Sequence, residues 1–239
     1  MDLLAALAEK PAAAAIVLDV DGTLAPIVPR PEDARVPDET RGELERLSRR
    51  YALLAFLSGR TSADARRVVG LEHALYVGVH GLELEPEAER WGGTLQELAA
   101  AAVWPPDETE DKGLSVAFHY RGAADEADAR ARLERVAAQA EELGLDARFG
   151  RKVLEVRPPV HADKGTAIRR IVGNAGVTRA LYAGDDTTDL DAFRGLGEAG
   201  LEVTVRVAVA SEEGPPELRR QADVVIRDPP ALLGLLRQL

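Results

Sequence analysis

The 239-residue chain contains no cysteine, which excludes a disulfide framework, a thiol nucleophile and any thiolate metal site. It also lacks an apolar run approaching the roughly 20 residues that a membrane helix needs. The longest, such as Tyr51 to Leu57, are strand-sized. The opening Met1-Asp2-Leu3-Leu4, continuing to Glu9-Lys10-Pro11, has neither the basic start nor the long hydrophobic centre of a signal peptide. A cytoplasmic location and no membrane partner are therefore expected. Positive charge is short: 30 basic residues face 41 acidic ones, a net charge of −11. That argues against a nucleic-acid partner, which would need a broad basic face. It leaves room for a small phosphorylated ligand, because a few local cations or a bound divalent metal can reverse the sign of one pocket. Lysine is scarcer still, with only Lys10, Lys112, Lys152 and Lys164 against a majority of arginines. No fixed-period repeat or low-complexity tract is present, so solenoids and propellers drop away.

What is present is a globular composition, 46% hydrophobic and 30% charged, in a chain long enough to bury a real core. Apolar strands alternate with helices. Ala14 to Leu18, Tyr51 to Leu57 and Ala74 to Val79 read as strands, with helices over Asp38 to Arg50 and Ser62 to Val69 between them; Leu82 to Glu85 reads as a hairpin arm. Continuous apolar strands separated by helices predict a parallel sheet covered on both faces. The middle of the chain differs. A helix over Thr94 to Ala102, a strand over Leu114 to Tyr120, a long helix and short strands over Asp146 to Phe149 and Val153 to Val156 suit a small α+β insertion. In the long helix Ala129, Leu133, Val136, Ala140 and Leu143 form one stripe, so it should cover one side of an open antiparallel sheet. The α/β alternation resumes with a helix over Gly165 to Ala175, a strand over Arg179 to Ala183, a helix over Thr187 to Leu196 and strands over Leu201 to Val209 and Asp223 to Ile226. The expectation is an α/β core made of residues 1–91 and 163–239, interrupted by a cap domain at 92–162.

Four short motifs lie at strand ends or helix starts. Asp19-Val20-Asp21-Gly22-Thr23-Leu24 follows the first strand, where an open α/β sheet binds its ligands. Period-two geometry would put both carboxylates on one side, spaced to share a metal and a substrate. An aspartate turn closed by Gly22 is the plain alternative. Leu57-Ser58-Gly59-Arg60 offers a hydroxyl and backbone N–H groups to a phosphate oxygen, or simply a helix cap. In Asp163-Lys164-Gly165 a lysine stands at the unfavourable end of a helix dipole, which an anionic partner would offset. Gly184-Asp185-Asp186-Thr187-Thr188-Asp189 presents three carboxylates, more than capping requires, as hard ligands suited to Mg²⁺.

In order and spacing this set resembles the four motifs of the haloacid dehalogenase superfamily of phosphotransferases, and the insertion between the second and third resembles that superfamily's larger cap type. Further segments resemble the trehalose-6-phosphate phosphatases within it: Gly78-Val79-His80-Gly81-Leu82-Glu83, Glu110 to Arg121, and Gly150 to Pro158. The segment Trp104 to Thr109 and the run Val160-His161-Ala162 depart from the family pattern.

The resemblance implies hydrolysis of trehalose 6-phosphate with Asp19 as nucleophile and Asp21 as acid and base. It implies Mg²⁺ held by Asp19, Asp21, Asp185 and Asp189, and a transferring phosphoryl group held by Ser58, Lys164 and Thr23. For the sugar it implies Arg60, His80, Glu83, Lys112, His119, Arg121, Lys152 and Glu155. In the strand before Arg121, His119 and Arg121 share one face, and Lys152 can join Glu155 only from the turn before its strand. Another sugar phosphate, such as sucrose or glucosylglycerol phosphate, is the alternative substrate. A non-catalytic binding module or a receiver-like domain phosphorylated on Asp19 is the alternative outside catalysis, and the presence of Asp21 argues against it. Oligomeric state is left open, a monomer included.

Overall fold

The computed structural model describes residues 2–28, 30–150, 152–210 and 214–239. They divide into two compact units, Met1–Gly81 with Ala162–Leu239, and Leu82–His161.

In chain order the first unit contains α1 (Leu3–Ala8), β1 (Ala14–Leu18), α2 (Asp38–Arg50), β2 (Leu53–Leu57), α3 (Ser62–Val69) and β3 (Leu75–Val77). The second contains α4 (Gly92–Ala101), β4 (Thr109–Asp111), β5 (Val116–His119), α5 (Glu126–Glu142), β6 (Asp146–Gly150) and β7 (Val153–Arg157). The chain then returns to the first unit through α6 (Lys164–Ala175), β8 (Arg179–Gly184), α7 (Thr188–Glu198), β9 (Val203–Val209), α8 (Pro216–Gln221), β10 (Val224–Ile226) and α9 (Pro229–Leu236).

The first unit is built on a parallel sheet in the order β10-β9-β8-β1-β2-β3. All five residues of β1 are buried, which is why the strand reads as an unbroken apolar run rather than an alternation. One face carries Ile16, Leu18, Leu54, Phe56, Leu181 and Val205, packed against Leu7 of α1, Leu44 and Leu47 of α2, Val68 of α3 and Leu232 and Leu236 of α9. The other face presents residues of the opposite phase. Tyr182 meets Phe193 of α7 edge-on at 6.2 Å between ring centres, and α6 packs against β1 and β2. From β1 the chain goes to β2 on one side, while β8 flanks β1 on the other, so the strand order reverses at β1. The crevice outside the carboxyl ends of β1 and β8 is where such sheets bind ligands.

The second unit is an antiparallel sheet in the order β4-β5-β7-β6. Val116, Phe118, Tyr120, Leu154 and Val156 cover one face with Leu95 and Leu98 of α4 and Ala129, Leu133, Val136 and Ala140 of α5. The register Glu110↔Ala117↔Glu155↔Arg148 runs across the opposite face, where Glu110, Glu155 and Arg148 are polar and partly or fully exposed around the buried Ala117. The expected α/β architecture with an inserted α+β sheet, helices on one side, is the one observed.

Several local expectations change. Leu82 to Glu85 is no hairpin arm; Val79–Leu84 forms a 3₁₀ segment, and the Leu-Glu alternation reflects a turn with Leu82 inward. Leu143 leaves the α5 stripe because the helix ends at Glu142, and it is 45% exposed. The sequence reading did not foresee α1, α8, α9 or the short strand β4.

Candidate active site

Asp19 follows β1 directly and is nearly fully buried. It continues the phase of Val17 and so faces α6 and α7. There Lys164 Nζ lies 2.9 Å from Asp19 Oδ1 and 2.7 Å from Asp189 Oδ1. Lys164 is held at the start of α6 by a capping box: the Asp163 carboxylate accepts from the Thr166 N–H at 2.7 Å, and the Thr166 hydroxyl accepts from the Asp163 N–H at 3.0 Å. The lysine thus stands at the positive end of its helix because two carboxylates face it. Close approach of α6 and α7 puts Lys164 and Asp189 in reach of each other; a Cβ on Gly195 would collide with the Gly165 backbone.

Asp189 is fully buried and organises the cluster. Its Oδ1 accepts from Lys164 and from the Tyr182 hydroxyl at 2.6 Å; its Oδ2 accepts the N–H groups of Asp185 and Asp186, both at 2.8 Å. Asp185 in turn accepts from the Thr23 hydroxyl at 2.9 Å. Gly22 between them has φ +76°, and a Cβ there would strike the Asp185 carboxylate.

Asp19, Asp185 and Asp189 each place a carboxylate oxygen within 4.8 Å of the others. Burial pushes the Asp19 carboxyl well above the usual carboxylate range, against the pull of Lys164. Burial and the Asp189 charge push Asp185 up to about 7. Burial opposes the Lys164 charge, but Asp189 and Asp19 outweigh it and hold that pKa above the ordinary lysine value. Three buried carboxylates around one ammonium leave negative charge over. Hard oxygen donors with surplus charge fit a divalent cation. With all four acceptor positions of Asp189 engaged, Asp19 and Asp185 have the coordination capacity.

Asp21 is placed differently. β1 ends at Leu18, so strand alternation does not carry to Asp21, and its carboxylate is gripped by Arg60: Nε to Oδ2 at 2.6 Å and Nη2 to Oδ1 at 2.8 Å. Arg60 also binds Asp64 of α3. Hydrogen bonds from Arg60 and Arg67 outweigh burial and hold the Asp64 carboxyl below its usual value. Arg60, expected at the sugar, is occupied by two carboxylates here.

Ser58 lies at the carboxyl end of β2, which pairs with β1 at Leu18↔Phe56. It is buried, and its hydroxyl accepts from the Arg60 N–H at 3.2 Å. The cap of α3 is Thr61, which accepts from Asp64 N–H at 3.1 Å, so Ser58 is not spent on capping. His80 packs on this loop; a Cβ on Gly59 would come 2.7 Å from the imidazole. Val79 and His80 both hold left-handed φ values, +48° and +53°, a conformation costing about 1–3 kcal/mol for a non-glycine residue.

The remaining sugar candidates belong to the second unit. His119 Nε2 is 3.3 Å from Glu110, and Lys112 Nζ is 3.6 Å from the same carboxylate. The His119 contact, ahead of Lys112, holds the Glu110 carboxyl below its usual value. Glu155 lies on that polar face, Arg121 is exposed, and Glu83 is partly buried. Lys152 sits in the turn before β7 with φ +60°, and its Nζ is 2.5 Å from Glu126 at the start of α5. Sequence reasoning did not single out Tyr182, Asp64 or Glu126. The signal for Tyr182 was available, since it shares a sheet face with Val17 two residues before the Gly184 motif.

The trehalose-phosphatase family model matches residues 17–223, across both units and all four motifs. The chain belongs to the trehalose-phosphatase family. A trehalose-phosphate phosphatase of Mycobacterium marinum is 36% identical over 212 residues, 80% of this chain and 54% of that protein. The chain spans about half the length of the curated relatives of this kind that it matches. Among solved structures, a trehalose-6-phosphate phosphatase related protein superposes with TM-score 0.74 at 24% identity, over 93% of this chain and 95% of that one. A haloacid dehalogenase-like hydrolase from Bacteroides thetaiotaomicron follows at TM-score 0.65 and 17% identity, over 94% and 98%. These two likenesses show the haloacid dehalogenase-like fold. Family membership also implies a divalent metal, in keeping with the carboxylate cluster. Among the described residues no helix is long and apolar enough to cross a membrane.

Proposed function

We propose that this chain is a Mg²⁺-dependent phosphatase that hydrolyses trehalose 6-phosphate to trehalose and inorganic phosphate, in the cytoplasm. The observation that carries the reading is the buried Asp19–Lys164–Asp189 cluster at the carboxyl ends of the central strands. Its supports are the family match and the relatives named as trehalose-phosphate phosphatases.

In this reading Asp19 Oδ attacks phosphorus, the bond to the sugar oxygen breaks, and an aspartyl phosphate forms. Covalent catalysis of this kind splits the hydrolysis into two easier steps. Asp21 gives its proton to the departing sugar oxygen and then takes one from the water that opens the acyl phosphate, regenerating Asp19. To do so its carboxyl must leave the Arg60 grip. Lys164, the Ser58 hydroxyl and Thr23 face the charge on the transferring group. Asp189, with its hydrogen bonds saturated, holds Lys164 in place. Mg²⁺ would be held by the Asp19 carboxylate, the Asp21 carbonyl and Asp185, and when bound it neutralises charge on the phosphoryl oxygens. The second unit serves as a cap, whose Glu83, Lys112, His119, Arg121, Lys152 and Glu155 supply donors and acceptors for sugar hydroxyls.

Phosphate release from a panel of sugar phosphates, with Mg²⁺ and with EDTA, tests the assignment. Metal-dependent preference for trehalose 6-phosphate is expected. A preference for another sugar phosphate overturns the substrate, and no release from any of them overturns the enzyme.

A further inference from the structure

The turn after β3 touches both loops assigned to the phosphoryl group. On one side, the Val79 N–H donates to the Arg60 carbonyl at 2.8 Å, the His80 N–H donates to the Ser58 carbonyl at 2.9 Å, and the His80 imidazole fills the space above Gly59. On the other side, Gly81 (φ +101°) lies against the start of α6; a Cβ there would come 2.8 Å from Ala167 Cβ and 3.1 Å from the Asp163 carbonyl, beside Lys164. Three consecutive residues, Val79, His80 and Gly81, hold positive φ. A buried, β-branched valine in that region is an outlier, and such strain persists where the surroundings over-determine it and clusters at functional sites.

We propose that His80 is a positioning residue. With the left-handed turn Val79–Gly81 it braces the Ser58–Gly59–Arg60 loop against the start of α6 and so fixes the Ser58 hydroxyl relative to Lys164. This rests on the phosphatase reading above, because it presumes that Ser58 and Lys164 share one phosphoryl group. It differs from a sugar-contacting role for His80. A brace acts on every phosphate ester, whereas a sugar contact acts only on the sugar ester.

His80→Asn tests it, since asparagine tolerates left-handed φ while removing the ring. Turnover is measured on trehalose 6-phosphate and on p-nitrophenyl phosphate, which has no sugar. The brace predicts that kcat falls about 10–100-fold on both esters, with KM for the sugar phosphate changed less than about threefold. Gly59→Ala, which pushes against the ring, lowers kcat in the wild-type background and much less in the His80→Asn background. Amide hydrogen exchange of the Ser58–Arg60 segment accelerates in His80→Asn, a readout that needs no activity. Wild-type kcat on both esters, a loss confined to the sugar ester, an equal Gly59→Ala defect in both backgrounds, or unchanged exchange at 58–60 would each overturn the brace. Absence of hydrolysis by the wild-type chain would instead sink the phosphatase reading, and the exchange measurement would still decide the brace.

Discussion

Lys164 bridges Asp19 and Asp189, its Nζ at 2.9 Å from one carboxylate and 2.7 Å from the other, in a pocket that excludes solvent from all three side chains. Removing the cation leaves buried carboxylates without compensation, which costs about 3–5 kcal/mol for a buried pair. Lys164→Met should therefore destabilise the metal-free chain by that order in urea unfolding at neutral pH. Adding Asp19→Asn to it should recover part of the loss. Equal stability of wild type and Lys164→Met would contradict the pairing.

The acid–base behaviour of the cluster predicts an unusual pH response. Asp185 has a folded pKa of about 7 against 3.8 in the ordinary state, and Asp19 is raised as well. Above pH 7 the folded chain must carry the buried Asp185 charge, a penalty that disappears as pH falls through 7 toward 4. For this cluster, metal-free stability rises on acidification from pH 8 to pH 5.5. Metal binding needs the ionised carboxylates, so the increase in Tm on adding Mg²⁺ should be larger at pH 8 than at pH 5.5. Thermal melts at the two pH values with and without Mg²⁺ check this; an equal or reversed Mg²⁺ effect contradicts it.

Tyr182 and Asp189 separate support from function. Tyr182→Phe removes one donor to Asp189 and leaves Lys164 and two backbone N–H groups, so it should cost about 0.5–1.5 kcal/mol and lower kcat less than tenfold. Asp189→Asn must turn an NH₂ toward either Lys164 or the backbone donors, costing at least about 1–3 kcal/mol and releasing the lysine. Its kcat should fall far more. Similar kcat losses in the two variants would remove Asp189 from its place as the holder of Lys164.

Gly22 combines a φ of +76° with contact against Asp185. Gly22→Ala is therefore expected to lose about 1–2 kcal/mol from the left-handed backbone and to displace Asp185, shrinking the Mg²⁺-induced rise in Tm. An unchanged Mg²⁺ response would show that Asp185 does not help hold the metal.

Much of this architecture can be read from residues alone, for physical reasons that also mark where reading stops. Strands β1, β2 and β8 are buried on both faces and so appear as apolar runs. Three motifs sit at their carboxyl ends and the fourth opens α6, so Asp19, Ser58, Asp185 and Lys164 could be named before any contact was known. The helix α9 starts with an Asp228 cap and with Pro229 and Pro230 in its first turn, where proline favours a helix start, so its onset is legible in the residues although it is absent from the expectations above. β4, with the sequence Thr-Glu-Asp, has threonine as its one strand-favouring residue and exists as the edge of the second sheet. The Arg60 grip on Asp21 and Asp64 joins residues 39 positions apart and four positions apart. No local pattern reveals the Asp21 half of that grip, and the same holds for the His80 ring above Gly59.

The most direct test of the phosphoryl-transfer centre is turnover of trehalose 6-phosphate by wild type and Asp19→Asn under saturating Mg²⁺, with acid-quenched protein analysed for phosphate bound to the peptide that contains residue 19. The account predicts phosphate release and a trapped, acid-stable adduct at Asp19 in the wild type, and neither in a folded Asp19→Asn variant. Hydrolysis by Asp19→Asn at near wild-type rate would contradict it.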